Sequence, residues 1–268
     1  MPGLRGARSN ARFSLAACAL AMLALAASAC GGGMLGRQYE YDQQIYLRAD
    51  GSASVVINSS IQALMALHGL QLDPAPRARI DREAIRAMVA EPGLEVGRVS
   101  RPWRRDGRQF IQIRVEVDDV SKLGSTKFLK DVRYSFTAIP EDKRLYLQQV
   151  GQPARTDVAN TGWNGSELVA FKLHLPSKIT DHNVRLLETG EAGGPERGNI
   201  LTYEQRLSDR LKGQPLEMRV EMESGSILYR TLSLFALSFA AAMVLLALII
   251  WRVVRSGRRK NDLLRAGR

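Results

Sequence analysis

The chain has 268 residues, room for one domain or two small ones between its ends, and a formal net charge of +11 that would ordinarily suggest nucleic acid or an anionic surface. That charge is not evenly spread: residues 1–30 carry three cations and no anion, and residues 227–268 carry eight cations against one anion, Asp262. Residues 31–226 hold 27 cations and 26 anions, a net of +1, so the basicity belongs to the two ends and nucleic acid is set aside as a partner.

The first 13 residues are basic, and residues 14–27 (SLAACALAMLALAA) form an apolar run long enough for a signal-peptide core but short for a membrane span. Ala27-Ser28-Ala29-Cys30 follows, then three glycines. Small residues leading into a cysteine resemble the bacterial lipobox, in which the thiol is diacylglycerated and the chain is cut before it. Cys18 would leave with the signal peptide, so Cys30 would be the single cysteine of the mature chain, unable to form an internal disulfide. Three readings of this end stand open: lipidation at Cys30, plain signal-peptidase cleavage after Ala29, and a retained N-terminal helix. The first gives a signal peptide over 1–29 and a lipidated, flexible tether over 30–38.

Residues 39–224 read as an extracytoplasmic α+β domain. Even spacing of Tyr41, Ile45 and Leu47, a turn at Asp50-Gly51, and Ala53, Val55 and Ile57 predict a β-hairpin. Ser59 or Ser60 would cap a helix carrying Ile61, Leu64, Met65 and His68 on one face. A second helix is expected over 80–91, ended by Pro92-Gly93. Residues 94–103 and 109–118 suggest a hairpin around Arg105-Asp106-Gly107, with Ile111, Ile113, Val115 and Val117 facing a core. Strands are expected at 132–138, 145–150, 169–175, 199–205 and 216–223, and loops at 151–165 and 176–198. The sum is about eight strands in one strongly bent antiparallel sheet with two short helices.

After a seven-residue linker, 224–230, residues 231–251 (TLSLFALSFAAAMVLLALIIW) carry no charge and as a helix would run roughly 31 Å, the thickness of a hydrocarbon core. Five cations fall within 252–260. Basic flanks are held on the cytoplasmic side, so 252–268 is expected to be a cytoplasmic tail and the domain to lie outside a bacterial inner membrane.

No catalytic constellation stands out. His68 is read as structural, His174 as a solvated strand residue beside Lys172, and Asp181-His182-Asn183 as a loop turn; zinc needs three or four ligands at set spacings, and no H-E-x-x-H or cysteine pair occurs. The carboxylate pairs Asp118-Asp119 and Glu141-Asp142 sit at strand ends, no G-x-S-x-G elbow is found, and the glycine clusters do not fit a phosphate cradle. The expectation is a protein that is not an enzyme, without cofactor or metal. A bent sheet over two helices could enclose a small apolar cavity.

The segments QIYLRADGSASVVI (44–57), LPSKITDHNV (175–184), GNILTYEQRL (198–207) and LEMRVEME (216–223), running into an apolar helix, resemble the LppM-type lipoproteins of actinobacteria. The resemblance implies a lipobox, a small α+β ectodomain, a C-terminal span and a cell-envelope role, with a lipid or glycolipid ligand. It carries no catalytic residue across. The double anchor, the near-neutral domain and the lack of a catalytic constellation lead first to a non-enzymatic module that binds a lipid-like or amphiphilic ligand; the alternative is an adaptor that recruits an envelope protein.

Overall fold

The computed structural model describes residues 37–266 except 131, 156, 157, 159–161 and 197. The signal-peptide and Cys30 expectations lie outside the described residues.

Eleven strands form among the described residues, in two sheets. The first hairpin pairs β1 (Tyr41–Leu47) with β2 (Ala53–Ser60), and Gly51 takes φ 90° at its turn. Two short strands, β3 (Glu95–Val99) and β4 (Trp103–Arg105), both pair with the long β5 (Arg108–Val117); the β4–β5 turn is Asp106-Gly107 with positive φ at both positions. β6 (Val132–Ile139) and β7 (Lys143–Val150) make the next hairpin, followed by β8 (Leu168–His174), β9 (Ile179–His182), β10 (Ile200–Arg206) and β11 (Leu216–Glu223).

The expectation of one bent antiparallel sheet is corrected on two counts. A seven-stranded sheet runs β10-β8-β1-β2-β5-β3 with β4 on β5, and a separate four-stranded sheet runs β6-β7-β11-β9. The large sheet is also mixed: β1 and β8 pair in parallel, with Ile45 opposite Leu173. β9 lies where a loop was expected. It pairs with only three residues of β11, across a register shift, and its polar TDH segment shows no alternation to betray it.

Both expected helices form. In α1 (Ile61–His68) the Ser60 hydroxyl accepts from the Ala63 N–H at 3.1 Å, and Gly69, at φ 71°, closes the last turn onto the Met65 carbonyl. Every residue from Ile61 to Leu67 is buried, so this helix is enclosed rather than amphipathic. In α2 (Arg82–Val89) the Asp81 carboxylate caps Glu83 and Ala84, and only Ile85 and Val89 are buried. A 3₁₀ segment, Val120–Ser125, lies on β6, and a five-residue α3 (Leu207–Leu211) follows β10.

One hydrophobic core draws on both sheets: Ile45, Val55, Ile113 and Leu173 from the large one, Tyr146, Met218 and Val220 from the small one. α1 contributes Ile61 and Leu64. The strand faces in this core are mostly apolar; the buried polar residues on them include Gln43 of β1, Ser59 of β2 and Gln148 of β7, which accepts from Tyr146.

The last helix, α4 (Ile227–Ala266), begins four residues before the expected span, leaving Ser224–Ser226 as the link from β11. That link is held. The Glu223 N–H donates to the Lys178 carbonyl, Ser224 N–H to the Asp142 carbonyl, Ser224 hydroxyl to the Asp142 carboxylate, and Ile227 N–H to the Pro176 carbonyl. The Asp142 partner sits on the three-residue β6–β7 turn, whose last two residues, Glu141 and Asp142, both take positive φ, an uncommon choice away from glycine and asparagine. Within α4, Thr231–Arg252 is long and apolar enough to cross a membrane, and none of it is buried against the rest of the chain.

Candidate functional site

β1, YDQQIYL, places polar side chains on both faces of the large sheet. Inward point Tyr41 and Gln43, each about 1% exposed. The Tyr41 hydroxyl lies 3.0 Å from His68 Nε2, and the Gln43 amide bridges the Tyr41 and Tyr134 hydroxyls at 2.9 and 3.0 Å. His68 Nδ1 is 2.9 Å from the Phe128 carbonyl oxygen. That oxygen can only accept, so Nδ1 carries a proton. Burial lowers the His68 pKa to about 4, only partly opposed by its bond to Phe128, and the ring is neutral near pH 7. Nε2 lies against the same Tyr41 hydroxyl that bonds Gln43. Gln43 completes the chain: its oxygen accepts from the Tyr41 hydroxyl and its NH₂ donates to the Tyr134 hydroxyl. Burial raises the Tyr41 and Tyr134 pKa values well above the phenol range, so both hydroxyls keep their protons.

A small void adjoins this chain, lined by Tyr41, Gln43, His68, Leu129, Phe171 and Arg210. Its volume of about 30 Å³ is enough to hold a water and is roughly a tenth of the smallest ligand pockets. Arg210 is 1% exposed, and its guanidinium donates to the carbonyls of Val150, Gly151 and Gln214. Outside the void lies an open groove of about 530 Å³ with Lys130, Arg133, Gln149 and Glu217 on its walls; Val150, Gly151 and Gln152 line both spaces.

The outer face of the same sheet is polar across five strands. Tyr39 donates to Glu204 at 2.5 Å, and Lys172 sits 4.8 Å from the Tyr39 ring centroid and 3.4 Å from Asp42. Asp42 accepts from Gln44 at 2.7 Å and from Asn58 at 3.3 Å, and Asn58 accepts from Gln112 at 2.8 Å. Tyr46, 39% exposed, donates to Gln44 and stacks on His174 with ring centroids 4.0 Å apart. At one end of this face Glu40 is sealed: Arg108 Nε lies 3.0 Å from its carboxylate, Trp163 Nε1 donates to it at 2.9 Å, and Arg108 Nη1 donates to the Gly162 carbonyl.

The residues singled out from the sequence are not brought together. His68 belongs to the inner chain. His174 is half-buried on the outer face, where burial and then Lys172 lower its pKa. His182 is on β9 of the other sheet, and no hydrogen bond joins it to His174 among the described residues. Asn183 is tied to the fold: its oxygen accepts from the Arg219 N–H and the Tyr203 hydroxyl, and its NH₂ donates to the Glu217 carbonyl. Among the described residues no cluster of three or more His, Cys, Asp or Glu could hold a metal ion. Both polar networks were missed at sequence level. The signal available was the run Asp42-Gln43-Gln44 inside a strand that otherwise alternates.

No protein-family model matches this chain, and no curated protein matches it. Among solved structures it is similar to the NMR structure of the folded domain of Mycobacterium tuberculosis LppM, at 14% sequence identity and a TM-score of 0.37, over 71% of this chain and 94% of that domain. That is a loose structural resemblance.

Proposed function

We propose that the chain is a membrane-anchored, extracytoplasmic and non-enzymatic module that works by recruiting another envelope component to the outer face of its large sheet. The observation that carries this reading is the network from Glu204 to Gln112, which fixes amide, carboxylate, ammonium and aromatic groups in a wet array with Tyr46 exposed at its margin. Groups held in place by one another lose little freedom on binding, and exposed tyrosine is a residue that interfaces favour. The fastened start of α4 supports the same reading, because it ties the domain to the apolar helix and so to a constant attitude at the membrane. In this reading the helix crosses a bacterial inner membrane with its basic tail inside, and Cys30 carries the lipid anchor. The mass of the mature N-terminus tests the anchor, since a free thiol at Cys30 rules it out.

A photo-crosslinking residue at Tyr46, in the native membrane, tests recruitment. One reproducible protein adduct is expected, and labelling of lipid alone rules the reading out. A second reading, an amphiphile-binding module, is favoured by the residues shared between void and groove. The void as it stands admits no acyl chain, so this reading needs Gly151–Pro153 to move aside. Native mass spectrometry of the full chain released from its membrane separates the two: a retained amphiphile that is lost in Gln152→Trp supports the second, and bare protein excludes it.

A further inference from the structure

The near-neutral balance of residues 31–226 conceals a separation of charge. Residues 77–114 contain ten arginines and no lysine, against five carboxylates (Asp81, Glu83, Glu91, Glu95 and Asp106), a net of +5; the rest of 31–226 is therefore at −4. The fold gathers this segment at the β3–β4 edge of the large sheet. β4 pairs with the start of β5, α2 lies on β3, and Gln109 of β5 donates to the carbonyls of Ala75 and Ala78, which draws the loop before α2 onto the same corner.

Three of the ten arginines are committed to the fold: Arg86 to Glu83 and the Gly97 carbonyl, Arg105 to the Tyr39 carbonyl and the Phe110 ring, and Arg108 to Glu40. Arg77, Arg79, Arg82, Arg98, Arg101 and Arg104 are exposed and make no ion pair among the described residues. Arg98 is moreover the register partner of the exposed Arg114. Like charges directly across a ladder are destabilising, and a surface built only for solubility would intersperse the signs.

We propose that this edge binds an extended, phosphate-bearing polyanion. Guanidinium forks match phosphate oxygens two at a time, which suits a surface that uses arginine to the exclusion of lysine. A folded acidic protein fits less well, because protein interfaces have an apolar, desolvated centre, and the large apolar side chains exposed in 77–114 are Met88 and Trp103 alone. The membrane holding this chain fits less well too. α4 leaves from the end where β8 runs out into Pro176, whereas the pairs Ser60–Phe110 and Trp103–Phe110 put β4 at the opposite end of the strands.

The test uses the full chain in zwitterionic nanodiscs and end-labelled inorganic polyphosphate, read by fluorescence anisotropy across a salt series. Binding that weakens steeply with salt is expected, and the R98A/R101A/R104A variant is expected to lose on the order of tenfold in affinity with a shallower salt slope. None of the three side chains carries an ion pair, so the variant keeps the fold; R133A on the small sheet is expected to bind as the parent does. The basic tail after Trp251 is common to all three proteins, so the difference between them isolates the edge. Equal affinity of parent and triple variant overturns the proposal. So does tighter binding to polyglutamate, which would indicate an acidic protein, or to anionic vesicles, which would indicate a lipid surface.

Discussion

The two faces of β1 carry the same chemistry under opposite conditions. Inside, Tyr41 and Gln43 join His68 and Tyr134 in a chain buried in the core; outside, Asp42, Gln44 and Tyr46 join Lys172, Asn58 and His174 in one that water can enter. A hydrogen bond on the wet side exchanges for one to solvent, so its loss costs little. On the sealed side the orphaned partner keeps its full desolvation penalty. The sealed chain is therefore a device for holding the sheets together, and the wet one is available for recognition.

The largest test concerns the point where the outer face itself becomes sealed. Glu40 and Arg108 have side chains 1% and 10% exposed, so Glu40→Gln leaves a buried guanidinium with only the exposed Asp106 carboxylate, 4.0 Å away, as counter-charge. The expected loss is about 3–5 kcal/mol, read as a lower urea midpoint for the full chain in detergent; E40L/R108M together should recover most of it. Recovery would mean that burial, and not the choice of face, sets the penalty.

Next comes pH. His68 has a folded pKa of about 4 against an ordinary value of 6.5, because burial disfavours its charged form. Above pH 6.5 it contributes no pH dependence. As pH falls from 6.5 towards 4 the unfolded chain binds a proton that the folded chain refuses, so stability drops by up to about 3 kcal/mol. The difference in urea midpoint between pH 7 and pH 4.5 should shrink in His68→Gln. An unchanged difference would mean that the inner chain tolerates charge, which would erase the contrast between the faces.

How much of this was legible follows from the range of each interaction. Hairpins and caps are local: Asp50-Gly51, Asp106-Gly107 and Ser60 announce turns and a helix start within a few residues, and they form where expected. The division into two sheets is not local. It depends on β8 lying parallel to β1, more than a hundred residues away, and on β9 pairing over three residues with a strand that follows it. Alternation tells a strand which of its residues face inward, but not which partner lies beside it. The candidate site suffered similarly. Tyr41 and Gln43 could be placed on one face from the sequence, whereas His68 and Tyr134 reach them only through the packing of α1 and β6. The arginine edge was hidden differently, since a net charge taken over 31–226 averages a positive corner with a negative remainder.

A smaller effect is expected at Tyr41→Phe, which keeps the ring against Phe171 and removes one hydroxyl. His68 Nε2 and the Gln43 oxygen both lose their partner, and the expected cost is about 1–3 kcal/mol. If the 30 Å³ void holds a water, that water can stand in for the missing oxygen and bring the loss to the lower end.

The smallest stability effect is expected where the functional one should be largest. Tyr46→Ala removes the stack on His174 and a bond to Gln44, both at the margin of the wet face, for about 0.5–1 kcal/mol in the same urea titration. Water replaces the lost bond and the core is untouched. In the recruitment reading, however, Tyr46 is an anchor that a partner would cover, and truncating an exposed aromatic anchor weakens a complex far more than it weakens the fold. With the crosslinker moved to Gln44, Tyr46→Ala should abolish the protein adduct while the urea midpoint barely moves. If the midpoint falls and the adduct survives, the wet network is structural after all, and the two faces of β1 differ in exposure but not in purpose.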